Sequence, residues 1–185
     1  MTKFIKAFFK YGLIIALIFS VCLSYSNFTF AEEGQPTEAQ VKAAFIYNFG
    51  KFVEWPADRM GGKYFVIGVY NDDDFAQVLT EIVSGKFLHE KPILIKQFSR
   101  IEDITGCHIL FVGYSAKDYL AELLNRAYKS PILMVGDMQD FANRGGMINF
   151  RMVGNYMRFE INVNAVQKTG LKMSSQLLKL AIVIK

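Results

Sequence analysis

The chain has 185 residues, 52% of them hydrophobic and 21% charged, which fits one globular unit and excludes a disordered or low-complexity chain. Its formal charge of +4 is unevenly placed, because Lys3, Lys6 and Lys10 stand in a stretch of 31 residues that holds no acid. Setting those three aside leaves 18 basic against 17 acidic residues, too even a balance to grip a phosphate backbone. Nucleic-acid binding is therefore excluded as a leading function.

The first 31 residues read as an address. A basic beginning is followed by the uncharged apolar run Tyr11–Tyr25, and Ala31 precedes the acids Glu32 and Glu33. These are the parts of a secretory signal peptide cleaved after Ala31, with Thr29 in place of the more usual Ala at the third position before the cut. The alternative is an uncleaved anchor, although the run is shorter than the roughly 20 residues a spanning helix needs. Either way the positive-inside rule exports the rest. The organisation expected is a signal peptide at 1–31 and a single domain at 32–185. Export makes enzymes dependent on ATP, GTP or reduced nicotinamide improbable, because those cofactors are scarce outside the cytoplasm. It also permits disulfides. The exported part keeps only Cys107, which is either a buried small hydrophobe or half of an intermolecular disulfide.

In chain order, Thr37-Glu38-Ala39-Gln40 is a capping box that opens a helix running to about Glu54, with Val41, Ala44, Phe45, Phe49 and Phe52 as its stripe. Pro56 stops it. Tyr64–Tyr70 predicts a strand, and Asp72-Asp73-Asp74 leads into a helix ending near Val83. Pro92–Phe98 and His108–Gly113 predict two more strands. Ser115 is expected to cap a helix whose stripe is Ala116, Tyr119, Leu120, Leu123, Leu124 and Ala127. Pro131–Val135 predicts a fourth strand. Met147–Val153 and Tyr156–Asn164 alternate and flank Gly154-Asn155, which suits a type II′ hairpin turn. Residues 171–184 read as a closing helix that is apolar nearly all round and so well buried. The fold class expected is α/β: three layers, a largely parallel sheet with helices on both faces, then a C-terminal antiparallel hairpin and a buried helix.

Catalytic chemistry finds little support. The carboxylates Asp72-Asp73-Asp74 and Asp137 follow strands, where a cation or phosphoacceptor site can form, but Asp is equally a helix N-cap. His89 and His108 stand without paired ligand spacing, and no nucleophile elbow, P-loop or dinucleotide fingerprint is present. No enzyme, metal or cofactor is expected. The hairpin is more telling. A two-residue turn sets Arg151 directly opposite Arg158, and like charges so placed destabilise a strand pair. The apolar face, Ile148, Phe150, Met152, Met157, Phe159 and Ile161, seeks the core. On the polar face, Glu160 either bridges both arginines or leaves them to meet an anion or a partner's carboxylate. Asn48, Lys51 and Trp55 end the first helix in its most aromatic stretch, as core or as a recognition surface anchored by the sole Trp.

Taken together, the segments Val41–Phe49 with Lys51–Pro56, Cys107–Val112, Phe141 with Arg144–Ile148, Arg158–Asn162, and Gly170-Leu171 with Ser174–Ala181 resemble the YfiR family of periplasmic regulatory proteins. The resemblance implies regulation by contact. The family's namesake represses the periplasmic sensor part of an inner-membrane diguanylate cyclase, an outer-membrane lipoprotein relieves that repression, and cyclic di-GMP, biofilm formation and motility follow. A homodimer is implied as well, and a sensor histidine kinase is an alternative target. The candidate partner- or ligand-binding residues are Asn48, Lys51, Trp55, Arg144, Arg151, Arg158 and Glu160. A small-molecule binding or sensory protein of the periplasm is the alternative function.

Overall fold

A computed structural model describes residues 34–184, and the signal peptide expected at 1–31 lies outside the described residues. Helix α1 (Glu38–Phe52) opens as its capping box requires: Gln40 N–H donates to Thr37 Oγ1 at 3.2 Å, and Thr37 N–H donates to Gln40 Oε1 at 2.8 Å. Its buried face is not the expected stripe. Ala43, Ile46 and Phe49 are fully buried and Lys42 and Gly50 nearly so, whereas Ala44 is exposed and Val41, Phe45 and Phe52 are half-buried. The helix is covered on two sides, by α2 and by the hairpin, so its apolar arc is wider than one line of residues.

After the two-residue strand β1 (Val53–Glu54), the sheet is built from β2 (Phe65–Tyr70), β3 (Phe87–Leu88), β4 (Lys91–Phe98), β5 (Ile109–Val112), β6 (Leu133–Gly136), β7 (Ile148–Val153), β8 (Tyr156–Asn162) and β10 (Ile182–Ile184). Its order is β10-β8-β7-β6-β5-β2-β4-β3. The pairs from β4 through β2, β5 and β6 to β7 are parallel, and β3–β4 and β7–β8 are antiparallel. Every residue of β2 is buried because it lies inside the sheet with both faces covered. The chain leaves β2 for β4 on one side through α2 (Asp73–Val83) and returns to β5 on the other, which then leads to β6 through α3 (Leu120–Tyr128). Right-handed crossovers of opposite direction put α2 and α3 on opposite faces, completing three layers.

Three expectations need correction. Ser115 does not cap α3: residues Tyr114–Tyr119 form a 3-10 turn that precedes the helix, and Tyr119 is 52% exposed rather than part of the stripe. The expected closing helix at 171–184 is instead the two-residue strand β9 (Lys172–Met173), paired with β1, then α5 (Ser175–Leu180), then β10 beside β8. Ser174 caps α5 at Leu177 N–H, and the β-branched run Ile182-Val183-Ile184 finds an open sheet edge that favours the strand. Leu180 is accordingly 61% exposed, not buried. The hairpin also ends sooner, at Asn162, which caps the short helix α4 (Val163–Gln167) through Ala165 N–H.

Candidate partner-binding site

The hairpin forms as the sequence dictates. Gly154 has φ 60 and Asn155 does not join it in the left-handed region, which is the type II′ turn. The register sets Val153 opposite Tyr156 and Arg151 opposite Arg158. One face is driven into the core, where Phe150 and Phe159 meet Phe45 and Phe49 of α1 with ring centroids 5.0–6.1 Å apart. The apolar face is only partly covered, however. Met152 is 52% exposed and Met157 half-buried, because β7 and β8 run on past the end of β6.

The polar face resolves the opposed arginines unequally. Arg151 donates to Glu160 Oε1 at 2.7 Å, and Asn149 Nδ2 donates to Glu160 Oε2 at 3.3 Å. Glu160 and Asn149 are both buried. Arg158 receives no share of that carboxylate. It donates to the Leu180 carbonyl at 3.4 Å and has no ion-pair partner among the described residues. Glu160 thus compensates one arginine of the pair, and Arg158 stands exposed with Tyr156 and Val153 beside it on the same face.

Beneath this face the 137–147 connection joins β6 to β7 without a helix. Parallel neighbours usually need a longer crossover, but here β7 begins where β6 ends, with Gly136 facing Asn149. Phe141 plugs the connection against Gly136 and Gly146, where any Cβ would fall within 2.5 Å of its ring. Asp137, Asp140, Asn143, Asn149, Arg151 and Glu160 line an adjoining cleft of ≈ 330 Å³. Asp137 also accepts a bond from Lys42, which pairs with Glu38 as well, at 2.5 Å. Burial pulls the Lys42 pKa down, yet the bonds and charges of the two carboxylates outweigh it and raise it overall. Hairpin alternation alone puts Asn149 on the polar face with Arg151 and Glu160, whereas for Lys42 only its spacing from Glu38, four apart on a helix, hinted at a pair.

The other candidates do not join the hairpin. Arg144 is exposed on the 137–147 connection. Asn48 and Lys51 are exposed near the end of α1 and bond to each other at 3.1 Å. Trp55 belongs to the core: it is 8% exposed, its Nε1 donates to the His108 carbonyl at 3.1 Å, and it packs edge-on to Phe65. It therefore offers no anchor to a partner. Cys107 is fully buried, and burial pushes its thiol up to about 12, so the described domain presents it as a core residue rather than as an exposed thiolate. Asp72 caps α2 by accepting from Phe75 N–H at 3.0 Å, as an N-cap should. His108 accepts from Val66 N–H at Nδ1 and donates from Nε2 to the Arg59 carbonyl, which assigns it the neutral tautomer.

Comparison with known proteins agrees with this architecture. A conserved domain protein from Vibrio cholerae O1 biovar El Tor str. N16961 superposes with a TM-score of 0.54 at 10% identity, over 80% of this chain and 60% of that one. The ABC domain from Streptococcus pneumonia, solved in complex with L-Trp, gives a TM-score of 0.51 at 11% identity, over 79% of this chain and 62% of that one. The chain thus spans less than two thirds of the length of either, and the likeness is one of fold. No curated protein matches the sequence. The profile of DUF4154, described as YfiR/HmsC-like, matches residues 39–182, from the first turn of α1 into β10. The chain therefore belongs to the YfiR/HmsC-like family of periplasmic regulatory domains.

Proposed function

We propose that this domain restrains a membrane-bound signalling enzyme, a diguanylate cyclase before a sensor histidine kinase, by direct contact through the polar face of the β7–β8 hairpin. The observation that carries the reading is Arg158: it opposes Arg151 directly, shares no carboxylate, and is flanked by the 77% exposed Tyr156. Arg and Tyr are the residues that dominate interface energetics, and a guanidinium suits bidentate recognition of a carboxylate. Binding then favours the enzyme's inactive state by differential affinity. An outer-membrane lipoprotein would relieve repression by competing for the domain, and a homodimer is consistent with the same reading. The test is a pull-down of solubilised membranes with the exported chain and its Arg158→Glu variant. A cyclase or kinase recovered by the first and weakened roughly tenfold or more by the variant supports the proposal. Equal recovery by a folded variant rejects the hairpin as the contact.

A second reading rests on the cleft lined by Asn149, Arg151 and Glu160, where buried polar side chains meet an opening of small-molecule size. In it, a small polar ligand seated against Glu160 would set the position of Arg151 and so act as the signal. A thermal-shift screen of the exported chain tests it, with Asn149→Ala abolishing any shift found.

A further inference from the structure

At the far edge of the sheet, four lysines and an exposed phenylalanine lie on adjoining elements. Lys51 of α1 and Lys86, just before β3, both lie over the ring of Tyr47, at 4.1 and 5.0 Å from its centroid. Phe87 follows Lys86, pairs with Pro92 across the β3–β4 hairpin, and is 59% exposed. Lys91 reaches from β4 to the Gly62 carbonyl, and in the same loop Lys63 lies over Tyr64, itself 38% exposed. None of the four lysines has an ion-pair partner among the described residues. Glu90 is the one acid within the run, and Glu54 sits across from Lys172 on the neighbouring β1–β9 pair. The edge thus presents four cations without ion-pair partners, and on one face of its outer strand an aromatic ring open to water.

Lysine on an edge strand has a simpler use, since charge there blunts pairing with other chains. That use does not explain Phe87, whose exposure works against it. The choice of cation also separates this corner from the hairpin. Lysine is depleted from protein interfaces, where arginine is enriched. At a bilayer surface each lysine keeps its hydrated charge, contributes about 1 kcal/mol against anionic headgroups, and lays its stem along the interface beside aromatic rings. We infer that the corner formed by Lys51, Lys63, Lys86, Lys91, Phe87 and Tyr64 docks the domain on an anionic phospholipid surface.

Docking by this corner leaves the hairpin free, because β3 and β10 end opposite edges of the sheet. A domain held against the membrane searches for its target in two dimensions and presents Arg158 away from the lipid. The inference does not depend on which protein the hairpin contacts.

The experiment is co-sedimentation of the exported chain, processed and recovered from the periplasm of an expressing cell, with vesicles of defined lipid. One set is phosphatidylcholine alone, and the other about one part phosphatidylglycerol to two parts phosphatidylcholine. The expected result is binding to the mixed vesicles only, weakened by salt. The Lys63→Gln/Lys86→Gln double variant should lose roughly tenfold or more in partition, at about fivefold per lysine, and Phe87→Ala several-fold. All three side chains are exposed, so the unfolding midpoint and circular dichroism should match the parent. Arg158→Glu should bind vesicles as the parent does, which keeps this outcome separate from that of the hairpin reading. No sedimentation with mixed vesicles, equal sedimentation with both sets, or an unaffected double variant overturns the inference. Capture of an acidic soluble protein without lipid binding would do the same.

Discussion

His108 shows how one buried side chain ties protonation to stability. Its Nδ1 accepts the Val66 amide at 3.0 Å and Nε2 donates to Arg59 at 3.1 Å, so only the neutral ring satisfies both. Burial is the largest cause lowering its pKa below 6.5, helped by the charges of Arg59 and Lys91 and opposed by the bond to Arg59. A native pKa below the unfolded one means the unfolded chain takes up the proton first, so this stability is complete above about pH 6.5 and declines as acid is added. Urea unfolding should therefore show a midpoint falling from pH 7 to pH 5, and His108→Gln should flatten that fall while lowering the pH 7 value. Cys107 makes a companion prediction. Fully buried and held up to about 12, it should resist maleimide in the native chain and react only on unfolding, and reductant should not alter the oligomeric state. The pairing of His108 was beyond the sequence, whereas the place of Cys107 at the entry to an apolar run already favoured burial over an intermolecular link.

At the scale of elements, local signals were legible wherever the chain satisfies its own backbone. The capping box of α1 needs only residues 37–40, and the II′ turn only residues 153–156. Thr37→Ala should cost about 1 kcal/mol by chemical denaturation, since it removes the hydroxyl that accepts the Gln40 amide and leaves that N–H to water. Elements that depend on distant partners were misread. Residues 171–184 carry apolar side chains at helical and at strand spacing alike, and the open edge of β8 decided for β10. Trp55, which the sequence left as core or as a recognition surface, also needed distant partners to place it. Its place at the end of an aromatic helix suited a docking anchor, yet Pro56 turns the chain so that the ring reaches His108 and Phe65, 53 and 10 positions away. Trp55→Ala should destabilise the domain by about 3–5 kcal/mol, a core penalty, in the same urea titration.

For the whole molecule, the sheet order places two different surfaces at its two ends. The β7–β8–β10 end carries arginine and tyrosine, and the β3–β4 end carries lysine and phenylalanine. No helix among the described residues is long and apolar enough to cross a membrane. Loss of the central packing should disable both ends together. Phe49→Ala, removing the ring that joins α1 to Phe150 and Phe159, should cost about 3–5 kcal/mol and splay the hairpin, read as lost protection of β7–β8 amides in hydrogen exchange. Legible in the amino-acid order alone were the strand–helix alternation through β6, the hairpin register and with it the opposition of Arg151 and Arg158, because these follow from periodicities and turns within a few residues. It took the folded chain to show that Lys42 meets Asp137 and that Trp55 is core, because those groups come together across 95 and 53 residues, and that Arg151 rather than Arg158 takes Glu160, because Arg158 meets the Leu180 carbonyl from the β10 side.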